Sequence, residues 1–126
     1  MRWLAAGAAL CALWACNTPY IPVPPPLDPS FTAITVDDGM GGTKKVWEVA
    51  GPAVAQAANG RVSVFNIKTQ TGVIAKAAAD GSYVTAPLDG VAGDNVEISY
   101  VTPKGEQSGV LCRKLADGPS PHPFCD

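Results

Sequence analysis

The sequence predicts an all-β fold, a single antiparallel sandwich, and three observations lead there. From Phe31 onward, short runs rich in Val, Ile, Thr and Ala alternate with turn-forming dipeptides. Those dipeptides, Asn59-Gly60, Thr71-Gly72, Asp80-Gly81, Asp89-Gly90 and Lys104-Gly105, recur near the spacing of roughly 8–12 residues typical of sandwiches and barrels. Setting the ends aside leaves about 95 residues, the size of one such domain. A domain this small buries roughly 60% or slightly more of its unfolded surface, so its stability should lean on a staple such as a disulfide.

The predicted strands are 31–37, 44–50, 61–67, 73–79, 82–88, 95–101 and 108–115. That is about seven, the count of a constant-type immunoglobulin sandwich. Between the first two, Asp37-Asp38-Gly39-Met40-Gly41-Gly42 reads as a hairpin loop. A Ca²⁺ site of loop oxygens is the alternative, but the alternating acidic pattern of a calcium loop is missing. Trp47, on the second strand with Val49, is expected as a core anchor; an exposed aromatic for a sugar or a partner is the alternative. Val54-Ala55-Gln56-Ala57-Ala58 suits one helical turn, too short to be stable alone. Strand 95–101 alternates most cleanly, with Val96, Ile98 and Tyr100 inward and Glu97 and Ser99 outward. Strand 82–88 leaves two registers open: Val84, Ala86 and Leu88 inward, or Tyr83 and Thr85. Pro87 argues for an edge position.

The N-terminal residues have a different character. Met1-Arg2 precedes an uncharged run, WLAAGAALCALWA, over 3–15. A membrane-spanning helix needs about 20 apolar residues, so this run suits the apolar region of a signal peptide instead. It ends in Leu13-Trp14-Ala15-Cys16, which resembles the lipobox of bacterial lipoproteins. Leu13, Ala15 and Cys16 match that pattern, and Trp14 stands where the family usually has a small residue. The resemblance implies that Cys16 receives a diacylglyceryl thioether, becomes residue one and is N-acylated. One acyl chain binds a membrane marginally and several bind it stably. Asn17, by resemblance to enterobacterial lipoproteins, implies the outer membrane, facing the periplasm or the cell surface. The expected organisation is a signal peptide over 1–15, a lipidated cysteine with a proline-rich spacer over 16–30, and the domain over 31–126. Residues 17–30 hold six of the twelve prolines. They should form an extended polyproline-II spacer reaching on the order of 40 Å. A PxxP ligand role is the alternative.

Cysteine arithmetic supports this division. Of four cysteines, Cys11 leaves with the signal peptide and Cys16 takes lipid. Cys112 and Cys125 remain as an even pair in an oxidising compartment, where pairing is expected. Their bridge would close a loop of about 14 residues, stabilising by about 3 kcal/mol and pinning the tail to the last strand. A metal site is the alternative, with His122 as third ligand, but the spacing matches no zinc signature.

A second resemblance runs through 46–100. Val49-Ala50-Gly51-Pro52-Ala53, Gly60-Arg61-Val62-Ser63-Val64-Phe65-Asn66, Thr71-Gly72, Asp80-Gly81-Ser82-Tyr83 and the Gly93-Asp94 turn occur in that order. The series resembles bacterial Ig-like and carboxypeptidase-regulatory-like (transthyretin-like) domains of surface proteins. Such relatives act mostly as spacers, adhesive modules or binding surfaces.

Chemistry finds little support. His122, the one histidine, lies between Pro121 and Pro123 and reads as a tail residue. No Gly-x-Ser-x-Gly, His-Glu-x-x-His or phosphate-loop motif occurs. The net charge of −2 gives no reason to expect nucleic acid, which calls for clustered cations. The expectation is a non-catalytic envelope lipoprotein without cofactor or metal, bound to the membrane by its lipid and to envelope or cell-surface proteins by its domain. A small-ligand or carbohydrate-binding module is the alternative.

Overall fold

Burial alternates residue by residue along two central segments and so defines one sheet: Val62, Val64 and Asn66 on one strand, Val96, Ile98 and Tyr100 on the next, all turned to the same side. The computed structural model describes residues 23–119 and 125. Among these residues there are nine strands: β1 Ser30–Asp37, β2 Thr43–Gly51, β3 Arg61–Asn66, β4 Thr71–Lys76, β5 Tyr83–Val84, β6 Leu88–Asp89, β7 Asn95–Val101, β8 Leu111–Lys114 and β9 Gly118–Pro119. A single 3-10 turn, Ala55–Ala57, lies between β2 and β3.

The strands form two antiparallel sheets. One has the order β4-β3-β7-β8; in the other, β2 and β1 are flanked by β9 on one edge and by both β5 and β6 on the opposite edge. Counting β5 and β6 as one interrupted strand, the first, second and fifth share a sheet, and the third, sixth and seventh share the other. That order is immunoglobulin-like, but it departs from the constant type in that the fourth strand lies beside the third and not in the sheet of the first, second and fifth. Phe31, Trp47, Val49, Leu88 and Tyr83 from one sheet pack on Val62, Val64, Val96, Ile98 and Tyr100 from the other.

The interrupted strand resolves the two registers left open by sequence. Tyr83 and Thr85 face the core, Ala86 and Pro87 are both exposed, and Leu88 turns inward again. Two consecutive outward residues change the parity of the strand. At the break, the Thr85 hydroxyl oxygen accepts the Val49 amide at 3.1 Å, replacing a ladder acceptor.

Two expected turns fall elsewhere. Thr71 and Gly72 begin β4, where Gly72 pairs with Phe65, and the reversal occurs at 67–70 with Gln70 at φ 58°. The Asn66 side chain directs it by accepting the Lys68 and Thr69 amides at 2.9 and 3.3 Å. Asp89 ends β6, and the following turn is built on Gly93 at φ 95°. Gly90 is required by close approach, since a Cβ there would lie 2.5 Å from Asn66 Nδ2 and 2.7 Å from Leu115 Cδ1.

The proline-rich segment is docked on the sandwich from Val23 onward, so the packed unit starts upstream of residue 31. Val23 bridges to Ser108 in parallel, and its carbonyl accepts the Gly109 amide at 3.2 Å. The Tyr100 hydroxyl donates to the Pro24 carbonyl at 2.8 Å, Pro26 and Pro29 are buried, and Arg113 pairs with Asp28 at 2.7 Å. Proline suits this strap because it offers fixed φ and apolar rings while needing no amide partner.

Cys112 on β8 is disulfide-bonded to Cys125, with Cα atoms 5.5 Å apart. Between them the chain crosses to the other sheet, where β9 pairs with Ser30 and Phe31 of β1. The closed loop therefore joins the edges of both sheets.

Candidate interaction surface

An edge strand offers a partner a row of backbone donors and acceptors, and sandwiches commonly blunt such edges. Among the described residues, three of the four edges are blunted. β5 and β6 are two-residue strands separated around exposed Pro87. β9 is also two residues long. β8 is four residues long and is flanked by the strap through Val23–Ser108 and Asp28–Arg113. β4 differs. It runs for six residues, TGVIAK, with no proline, and Lys76 is its only charge. Among the described residues its ladder is with β3 alone, and β5 and β6 of the facing sheet come close to it without pairing.

The outward face beside this edge is apolar where side chains are largest. Ile74 is 70% exposed and Phe65 37% exposed. The Phe65 ring lies over Gly72, close enough that a Cβ on Gly72 would come within 3.1 Å of Cδ2. Ser63 sits directly across from Ile74, and small neighbours leave the isoleucine standing proud. The surface is thus a regular strand edge carrying one bulky aliphatic group and one aromatic ring.

The aspartates of the described residues are engaged within the fold. All seven described aspartates, residues 28, 37, 38, 80, 89, 94 and 117, accept a hydrogen bond or pair with a cation. In the β1–β2 loop, Asp37 accepts the Gly39 amide, and Asp38 accepts those of Met40 and Gly42 at 2.8 and 3.1 Å. These amides hold the Asp38 carboxyl below its ordinary 3.8. The Ser82 hydroxyl, then its amide, do the same for Asp80. The acidic loop so closes on its own backbone, as the hairpin reading expected. Burial pushes the Tyr83 and Tyr100 hydroxyls above their ordinary range. No group of three or more metal-ligating side chains occurs among the described residues.

Trp47 is 2% exposed, and its indole N–H donates to the Gly90 carbonyl at 2.9 Å. It is a core anchor and cannot stack on a sugar. Cys112 and Cys125 are joined, while Cys16 and His122 lie outside the described residues. Among the described residues no helix is long and apolar enough to cross a membrane.

Sequence reasoning did not single out β4. The signal was present in the absence of proline and the single charge over 71–76, but an edge is a tertiary property and periodicity does not report it. One open groove of about 320 Å³ lies beside the strap, lined by Val23, Ala55, Gln56, Ala58, Thr102 and Pro103, among others. The chain matches no protein-family model, no curated protein and no solved structure.

Proposed function

We propose that this chain is a non-catalytic envelope lipoprotein, anchored through Cys16, whose immunoglobulin-like sandwich binds a protein partner along β4. The observation that carries the binding role is the unblunted β4 edge beside exposed Ile74 and Phe65, where the other three edges are blunted. An extended partner segment added there gains ladder hydrogen bonds, and Ile74 and Phe65 give side-chain selectivity. The anchor rests on Leu13-Trp14-Ala15-Cys16 following an uncharged run. The non-catalytic reading is supported by the commitment of every described aspartate to a hydrogen bond or an ion pair within the fold.

A photo-crosslinking residue at Ile74, compared with one at exposed Lys45 on the other sheet, tests this in intact cells. Discrete protein adducts from position 74 and none from position 45 are expected. Equal adducts from both positions, or none from 74, would overturn the edge-binding role.

A further inference from the structure

The strap fixes where the chain leaves the domain, and that point lies at one end of the sandwich. β7 runs from Asn95 to Val101, and Val23 is held beside its C-terminal end through Ser108 and Tyr100. The same end carries the connections 52–60, 77–82 and 102–107, because Arg61 of β3 pairs with both Val101 and Lys76. The opposite end carries the 38–42 loop, the 67–70 turn and the 90–94 turn.

Resting on the lipid anchor proposed above, we infer that the sandwich is held with its 52–60 and 102–107 end facing the bilayer and its 38–42 loop facing away. The length of the tether favours this, because turning the far end down would need the tether almost fully extended. Val23 lies seven positions beyond Cys16 (23 − 16). Seven residues span at most about 25 Å even when fully extended. The spacer of 14 residues suggested by composition would have reached on the order of 40 Å and left the domain free to turn either end down. Because Val23 to Pro29 are packed on the domain, half of that reach is lost. Since β1 alone has eight residues, the hairpin tip stands about 26 Å further along the strand direction than Ser30. A tether this short, leaving from one end, keeps the two ends at unequal heights.

Charge favours the same orientation. The near end carries Arg61, Lys76 and Lys104 against Asp80 and Glu106, a balance of +1 (3 − 2), whereas the far end carries Lys44, Lys68 and Lys114 against Asp37, Asp38, Asp89 and Asp94, a balance of −1 (3 − 4). Anionic headgroups attract the first and repel the second. The groove lined by Val23, Ala55, Ala58 and Pro103 opens on this near end. The occupant facing it is thus the lipid surface itself.

The test uses the full mature protein, purified from membranes and placed in nanodiscs containing a headgroup-chelated gadolinium lipid. Amides of 55–60 and 102–106 should relax severalfold faster than those of 38–42 and 67–70. The intact mass of the same sample reports acylation. Acyl mass with a uniform or inverted relaxation pattern overturns the orientation alone. Absence of acyl mass on Cys16 overturns the anchor and the orientation with it.

Discussion

The Asn66 side-chain amide donates to the Asp94 carboxylate at 3.0 Å inside the sandwich, with Asn66 fully buried. That one pair organises the end of the domain opposite Val23. The same amide nitrogen donates to the Asp89 carbonyl at 3.0 Å, and the same carboxylate oxygen accepts the Val91 amide at 3.0 Å. Asn66 Oδ1 directs the 67–70 turn at the same time. Replacing Asn66 by Ala strands several buried groups at once, each costing about 1–3 kcal/mol. Asn66→Ala should therefore lower stability by about 3 kcal/mol in chemical denaturation. A loss under about 1 kcal/mol would show that water or rearrangement satisfies those groups.

Tyr83 presents the opposite case. Its ring packs over Gly51, where any Cβ would overlap it, while its buried hydroxyl finds no hydrogen-bond partner. A buried polar group without a partner opposes folding. Tyr83→Phe should leave thermal stability unchanged or raise it by about 1 kcal/mol. A clear loss would reveal an undetected partner for the hydroxyl.

Replacing Cys112 and Cys125 by Ser should cost about 3 kcal/mol, the loop-closure value for a separation of this size. The effect should be local as well as global. β9 is held to β1 at only two residue pairs, so Ser30 and Phe31 amides should lose hydrogen-exchange protection well before those of β3 and β7. Uniform loss of protection across both sheets would contradict a staple confined to the β1–β9 edge.

Acidification should loosen two turns. Asp38 and Asp80 have folded values below the ordinary 3.8, so each supports the native turn above that value and loses this support as pH falls through the lower folded one. Both groups are fully exposed, so the effect is on loop order, with little on global unfolding. Carboxyl chemical shifts followed by NMR between pH 5 and pH 2 should show both groups titrating below 3.8. A midpoint at or above that value for Asp38 would mean that its Met40 and Gly42 hydrogen bonds do not persist in solution.

Much of the fold was legible because local chemistry and tertiary burial agree. The alternation of Val96, Ile98 and Tyr100, the anchoring by Trp47 and the pairing of Cys112 with Cys125 each follow from residue type and order. The failures lie where a side chain has two competing uses. Thr71-Gly72 reads as a turn by composition, yet Asn66 takes over the reversal and releases both residues to β4. Proline-rich 23–29 reads as a free spacer, yet apolar contact by Pro26 and Pro29 and the Tyr100 hydroxyl hold it down. The β4 edge stayed hidden because openness depends on what the other segments cover.

The most direct measurement is the intact mass of the mature protein extracted from bacterial membranes, beside a Cys16→Ser variant. A chain beginning at Cys16, carrying acyl mass that the variant lacks, is expected. A soluble chain without acyl mass, with Cys16 as a free thiol and the variant indistinguishable from it, would contradict the membrane anchor.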